Sequence, residues 1–199
     1  MVSETQREAK DLQEKFREAH RKGDGHGKPF EVALDEMKHG SKTSHWVWYV
    51  FPQHEKCPGI SSLNKKYGLA TREALWFLAD PELRENYLKV LKELKKHLES
   101  GKTLKEIVNG DDKKVISSLT LFGMIADELN RLDPFQSVDT DPMIDDFKAD
   151  MEDMTELLRP VWLYLKPAEP YTDTRDALRD DDLKNEIKTF VQTFPTPEI

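Results

Sequence analysis

Residues 142–165, PMIDDFKADMEDMTELLRPVWLYL, form the stretch that decides the fold class. Its apolar positions are separated alternately by three and four residues, as on one face of a helix: Ile144, Phe147, Met151, Met154, Leu158, Val161 and Leu165. Asp141 and Pro142 suit the cap and first position of that helix, and Pro160 is expected to kink it. We expect the stripe to pack on its own domain; the alternative is a homodimer seam of heptads.

Helical signals also dominate the rest of the chain. Ser3 with Gln6, and Thr103 with Glu106, have the spacing of a capping box. Apolar stripes at helical spacing predict helices beginning near Ser3, Phe30, Thr71, Asp80, Thr103, Asp112 and residue 180. Together they predict an all-α, single-domain bundle of several helices with an acidic helical C-terminal extension. We divide it into a motif-bearing domain, residues 1–126, and an extension, residues 127–199, packed on it.

One segment breaks this pattern. Residues 45–51, HWVWYVF, are aromatic and β-branched and have the propensity of a strand. No second strand is apparent to pair with it, so its backbone groups would stay unsatisfied. We therefore expect a short, enclosed helix, capped by Thr43 or Ser44.

The composition excludes several classes of protein. The chain has 199 residues, a formal net charge of −8 and a single cysteine, Cys57. A general nucleic-acid-coating protein needs a basic face, and a membrane span needs about 18 or more consecutive apolar residues, which the chain lacks. The polar first residues give no secretory signal, and one cysteine suits a reducing compartment. These features favour a cytoplasmic protein.

The charge is unevenly distributed. Residues 127–199 carry a net charge of −11, whereas residues 1–126 carry +3. A small anionic ligand is therefore compatible with the first part of the chain. The same asymmetry predicts electrostatic docking of residues 127–199 onto the rest.

The strongest functional signal lies around the aromatic segment. Two indoles offer stacking surfaces, an ammonium can neutralise a phosphate, and an imidazole can transfer protons; the residues are Lys42, Ser44, His45, Trp46, Trp48 and Gln53. The alternative is that the indoles fill the core and His45 is a hydrogen-bonded core histidine.

The stretch Gly40–Gln53, GSKTSHWVWYVFPQ, resembles the signature of the family called domain of unknown function 1810. Further matches fall in order up to Phe122, including Tyr67-Gly68 and residues 110–113, so the resemblance covers roughly residues 10–126. It implies an all-helical domain but supplies no function. Some members carry the label calpastatin, yet nothing here is similar to a repetitive, disordered inhibitor.

The chain departs from the family pattern in two places. His20 stands where a glutamine is usual. After Phe122 the short family ending is replaced by the acidic region, so the resemblance implies nothing about that region.

A second polar set follows the motif. Lys113, Ser117 and Thr120 lie at i, i+4 and i+7, on one helix face. Either they contact a ligand, or the hydroxyls bond back to helix carbonyls and the lysine is solvated. Together with Tyr67, the two sets give one hypothetical pocket.

Two functional hypotheses follow. The first is a pocket for a small anionic metabolite, such as a nucleotide or nucleotide-sugar, with Lys42 and Lys113 on phosphate and Trp46 or Trp48 on the ring. If a reaction occurs, His45 is the candidate catalytic acid or base of a hydrolase or glycosidase-like enzyme. The second is a non-enzymatic interaction module that meets a basic partner, or a second copy, through residues 142–165.

A metal site is not expected. His54 and Cys57 have a plausible ligand spacing, but no second His/Cys pair completes a zinc set. Asp139, Asp141, Asp145 and Asp146 lack the glycine and terminal glutamate of a calcium loop. No cofactor is indicated.

Overall fold

The protein is an all-helical bundle, described here from a computed structural model. The structure describes residues 3–56, 62–135, 141–165, 172–180 and 182–194. In these ranges the helices are α1 Glu4–Lys22, α2 Phe30–His39, α3 Val47–Val50, α4 Ser62–Tyr67, α5 Thr71–Ala79, α6 Pro81–Glu99, α7 Leu104–Val108, α8 Asp112–Leu132, α9 Pro142–Tyr164, α10 Thr172–Asp180 and α11 Leu183–Val191. An isolated β-bridge joins His54 to Leu69. The predicted all-α class is confirmed.

Several helix ends lie where the cap residues predicted them. Ser3 begins α1 with a capping box, and Thr103 does the same for α7. Asp80 caps α6 through the backbone N–H of Leu83, at 3.0 Å. Gly40 ends α2 in the left-handed conformation, with φ 63°, which costs a glycine little because it has no Cβ.

Other local predictions were wrong. Thr71 is by its residue type the expected cap of α5, but the cap position is Ala70; Glu73 reaches back to the Ala70 backbone N–H at 2.8 Å. Neither Thr43 nor Ser44 caps the motif helix α3, which begins after Trp46 without a side-chain cap. Their backbone N–H groups bind the carboxylate of α2 described below instead.

The extents of the later helices also differ from the prediction. The last helix, expected to begin near residue 180, spans Leu183–Val191. Helices α4 and α10 are short polar segments without a strong apolar stripe, and the sequence did not reveal them.

Helix α9 packs along α6 and α8. Its predicted stripe, from Ile144 to Leu165, is buried, and the helix continues through Pro160 to Tyr164. The stripe is thus part of the chain's own core. Helix α8 itself continues past residue 126 to Leu132, so both parts of the predicted division share one long helix.

An aromatic cluster connects α1, α4, α5, α6 and α8. Phe16 meets Tyr67 and Phe77 edge to face, at centroid distances of 5.3 and 5.1 Å. Tyr87 lies 4.6 Å from Phe122. Each such contact adds about 0.5–1.5 kcal/mol beyond the area that it buries. This core is the rigid support for the motif segment.

Candidate functional site

The motif loop is organised around a single carboxylate on α2. Glu36 accepts hydrogen bonds from the backbone N–H groups of Thr43 (2.8 Å) and Ser44 (3.1 Å). It also accepts the Thr43 hydroxyl (2.8 Å) and the indole N–H of Trp46 (2.7 Å). Four donors converge on it because the chain reverses direction at Gly40. Glu36 therefore fixes the conformation of the GSKTSHW segment.

These donors set the protonation of Glu36. Burial alone would raise the pKa of the carboxyl, but the hydrogen-bond donors from Ser44, Thr43 and Trp46 outweigh it and lower the pKa to about 2. The Ser44 hydroxyl adds to this effect although it is buried and has no hydrogen bond of normal geometry in the described structure. Glu36 is thus ionised throughout the physiological range.

A second charged group joins the loop to α8. The ammonium of Lys42, buried in the protein, lies 2.8 Å from Asp111 Oδ2. Lys114 pairs with the other oxygen of the same carboxylate. Burial would raise the pKa of Asp111, but the hydrogen bonds from Lys114 and Lys42 lower it below its usual value. Two ammonium groups therefore share one ionised carboxylate.

Both indoles of the motif carry an ammonium over a ring face. Lys42 Nζ lies 5.5 Å from the ring centroid of Trp46, which is fully buried. Lys114 Nζ lies 4.5 Å from the ring centroid of Trp48, which is only partly buried. Trp48 is therefore the motif indole that a ligand can reach.

The remaining predicted site residues are dispersed. The His45 side chain is exposed and makes no hydrogen bond to any described residue, although its carbonyl accepts from Lys28 N–H at 2.9 Å. Lys113 is exposed. Gln53 is buried, and its carbonyl accepts Leu69 N–H at 2.9 Å. Tyr67 is buried within the aromatic cluster.

The hydroxyl groups predicted on α8 are directed to the protein interior. Ser117 Oγ lies 2.8 Å from Thr174 Oγ1, so it links α8 to α10. Thr120 donates back to the Ile116 carbonyl at 2.8 Å, which is the i−4 back-bonding arrangement of a helical threonine. Neither hydroxyl lies next to the Lys42–Asp111–Lys114 group in these contacts.

Sequence reasoning missed the three residues that organise the site: Glu36, Asp111 and Lys114. A carboxylate at the end of a helix that stops in glycine is common, so Glu36 carried no distinguishing signal. Asp111 and Lys114 do have the i, i+3 spacing of a helical ion pair, but this spacing alone does not indicate that Lys42 joins them.

Two other features bear on the kind of site. Within the described ranges, no helix is long and apolar enough to cross a membrane. In the same part of the chain, no group of three or more His, Cys, Asp or Glu residues could hold a metal ion. The sequence argued against a zinc site at His54 and Cys57. The structure describes only His54 of this pair, since Cys57 lies outside the described residues.

The fold and the site together define a class of protein. It is an all-helical bundle with a motif loop that carries aromatic residues and lysines. Residues 10–145 match the family described as "Protein of unknown function (DUF1810)", and the chain belongs to this family. The predicted resemblance is thereby confirmed, and it extends beyond residue 126 into the beginning of α9.

One solved structure shares the fold: the conserved hypothetical protein Rv1873 from Mycobacterium tuberculosis. It is 19% identical, with a TM-score of 0.55, and the match covers 86% of this chain and 94% of that one. At this identity the likeness concerns the fold alone. Among curated proteins, none matches the chain.

Proposed function

We propose that the protein binds a small anionic metabolite with an aromatic ring, such as a nucleotide or nucleotide-sugar, at Trp48 and Lys114. The observation that carries this proposal is the sharing of Asp111 by two lysines. One ammonium is enough to neutralise the carboxylate, so the trio keeps a net positive charge beside a reachable indole.

The two lysines are not equivalent. Lys42 has 7% of its side chain exposed, whereas Lys114 has 32%. Lys42 is the fixed partner, because breaking its pair would leave a buried ammonium without compensation. Lys114 is the mobile partner: an exposed ion pair contributes about 0.2–1 kcal/mol and an exposed cation–π contact about 0.5–1 kcal/mol.

This difference suggests how a ligand enters. Its phosphate takes the Lys114 ammonium, while Asp111 keeps Lys42 as a counter-ion. Moving Lys114 uncovers the face of Trp48, on which a base can stack with a contribution of about 1–3 kcal/mol. Lys113, next in the chain and exposed, is available for a second phosphate oxygen.

The proposal concerns binding and includes no reaction step. A general acid or base needs a partner that orients it, and the exposed imidazole of His45 has none among the described side chains. His45 therefore has no role in the proposed binding step, and hydrolysis by it stays a prediction.

A thermal-shift titration with nucleoside diphosphates and nucleotide-sugars tests the proposal. A ligand at 100 times its Kd stabilises the native state by about 2.7 kcal/mol, which raises Tm measurably. We expect Lys114→Gln and Trp48→Leu each to abolish the shift, and Lys113→Gln to reduce it. Lys105→Gln, at an exposed lysine on α7 without an ion pair in the described structure, is the matched control and should leave the shift unchanged.

Either of two results would contradict the proposal. One is the absence of any shift with all of these compounds in the wild type. The other is an equal shift in the wild type and in Lys114→Gln. Hydrolysis of the ligand on incubation that is lost in His45→Ala would instead support the hydrolase prediction.

A further inference from the structure

A groove of about 530 Å³ lies between α8, α9 and α10, away from the motif loop. Its walls are mostly apolar, formed by Leu119, Met124, Leu158 and Trp162. The volume falls within the roughly 300–1,000 Å³ of small-molecule sites, which are typically apolar with a few polar groups.

A glycine shapes the floor of this groove. Gly123 lies inside α8, where glycine costs about 1 kcal/mol relative to alanine. A Cβ at this position would lie 3.3 Å from Leu158 Cδ1 and 4.0 Å from Trp162 Nε1. The missing side chain thus allows Leu158 and Trp162 of α9 to lie directly over the α8 backbone.

The polar groups of the groove favour an anion. Among the described residues, Arg159 makes no ion pair, and Arg175 pairs with Asp176 alone, with 3.4 Å from Nε to Oδ1. The lining also contains one carboxylate, Asp127, which lies within ion-pair distance of neither arginine in the described structure. Because Asp176 is the counter-ion of Arg175, the guanidinium group of Arg159 is the positive charge that the groove offers to an anion.

A further donor, on Trp162, lines the same groove as these arginines. The indole N–H of Trp162 has no acceptor among the described residues, and its nitrogen lies 4.0 Å from the position that a Cβ of Gly123 would take. A Trp ring with an apolar body and a free N–H suits a ligand that is apolar along its length and polar at one end. Guanidinium groups bind carboxylates in a planar, two-bond geometry.

We infer that this groove binds a small amphipathic carboxylate, with its apolar body along Leu119, Met124 and Leu158 and its head at Arg159 and Arg175. The inference is independent of the motif site, since the two share no residue.

Calorimetric titration of the full chain with decanoate, decanol and decylammonium tests the inference, because the three share one tail and differ in the head. We expect decanoate to bind at least tenfold more tightly than the other two. Equal affinity for decanol, tighter binding of decylammonium, or no binding at all would overturn it.

Variants locate the site. Arg159→Gln combined with Arg175→Gln should weaken decanoate at least tenfold, and Gly123→Leu should abolish its binding by filling the floor. Arg179→Gln is the matched control, because this exposed arginine lies on α10 with Arg175 but outside the groove. The substitution should change the affinity for decanoate less than twofold. Since Gly123→Leu can also disturb helix packing, the arginine pair is decisive, and unchanged affinity in that pair would overturn the assignment.

Sedimentation of the wild type and Gly123→Leu at high protein concentration tests a different occupant. A dimer that forms only in the wild type would assign the groove to a second copy and overturn the inference. Nucleotide shifts at Trp48 should persist in Gly123→Leu, so a failure of one site is distinguishable from a failure of the other.

Discussion

The indole N–H of Trp46 donates a hydrogen bond of 2.7 Å to the carboxylate of Glu36, ten residues earlier in the chain. This contact connects the buried tryptophan of the motif to the helix that precedes it. Because Glu36 also binds the Thr43 and Ser44 backbone, the loop between the two residues has little freedom.

Replacing Glu36 by glutamine should destabilise the protein by about 2 kcal/mol. Hydrogen bonds to a charged acceptor contribute about 1.5–3 kcal/mol, and the amide group that replaces one oxygen donates rather than accepts. Urea unfolding at pH 7 measures the loss. Glu31→Gln, on the exposed face of the same helix, should change the free energy of unfolding by less than about 0.5 kcal/mol.

The pH dependence of this effect has a definite sign. The pKa of Glu36 is lowered from 4.5 to about 2, so its contribution is fully present above pH 4.5 and is lost as the pH falls toward 2. The difference between wild type and Glu36→Gln should therefore shrink over this interval. A difference of the same size at pH 7 and near pH 2 would exclude the charge as its source.

His20 should produce a second loss of stability on acidification, at a higher pH than the loss caused by Glu36. Burial lowers the pKa of His20 from 6.5 to about 4, despite its hydrogen bond to the Tyr49 carbonyl. The unfolded chain then binds a proton more readily than the folded one, so stability is complete above pH 6.5 and falls as the pH approaches 4. The full loss is about 3 kcal/mol, at 1.36 kcal/mol for each pKa unit.

His20→Gln should remove this dependence and keep the hydrogen bonds. Nε2 of His20 donates to Tyr49 O at 2.8 Å, and Nδ1 accepts from Asn86 at 3.2 Å; a glutamine amide offers one donor and one acceptor to the same partners. We expect stability at pH 7.5 within about 1 kcal/mol of wild type. His26→Gln, at an exposed histidine, should leave the slope between pH 6.5 and 4 intact, and the same slope in His20→Gln would refute the assignment.

The pair formed by Arg84 and Asp150 should contribute to the attachment of α9. Arg84 is buried, lies 2.6 Å from Asp150, and donates to the Leu78 carbonyl at 2.8 Å. Asp150→Ala should cost about 2 kcal/mol, less than the roughly 3–5 kcal/mol of a fully buried pair, because Asp150 is partly exposed. Glu85→Ala, which removes an exposed i, i+4 pair with Lys89, should cost less than about 0.5 kcal/mol in the same urea assay.

Salt should have little effect on the stability of the chain. The charge split between residues 1–126 and 127–199 predicts electrostatic docking, yet the contact of α9 with α6 and α8 consists mainly of buried apolar side chains. Raising NaCl to about 1 M shortens the Debye length to roughly 3 Å. We expect one cooperative unfolding transition that shifts by less than about 1 kcal/mol; a second transition, or a large loss, would favour electrostatic docking.

Much of the fold follows from local patterns. The apolar stripe of α9, the capping boxes at Ser3 and Thr103, and Gly40 after α2 all act within a few residues, so the sequence displays them directly. Helices α4 and α10 escaped prediction because short polar helices depend on tertiary contacts, such as the hydrogen bond between Ser117 and Thr174.

The site was less predictable than the fold. The sequence identified the motif and its chemical groups, but it placed Lys42 and Lys113 on one ligand. In the folded chain Lys42 binds Asp111, about 70 residues away, while Lys114 lies over Trp48. Whether a lysine remains available to a ligand depends on the carboxylate with which it pairs. A contact between residues so far apart in the chain leaves no periodic pattern in the sequence.

The sequence by itself therefore determined the helical class and the position of the motif. Hydrophobic periodicity and capping are short-range effects, written residue by residue along the chain. Only the tertiary structure decided that Trp46 is enclosed and Trp48 reachable, that Glu36 fixes the loop, and that α8, α9 and α10 leave a groove beside Gly123. Burial and charge pairing depend on how separate helices pack against one another.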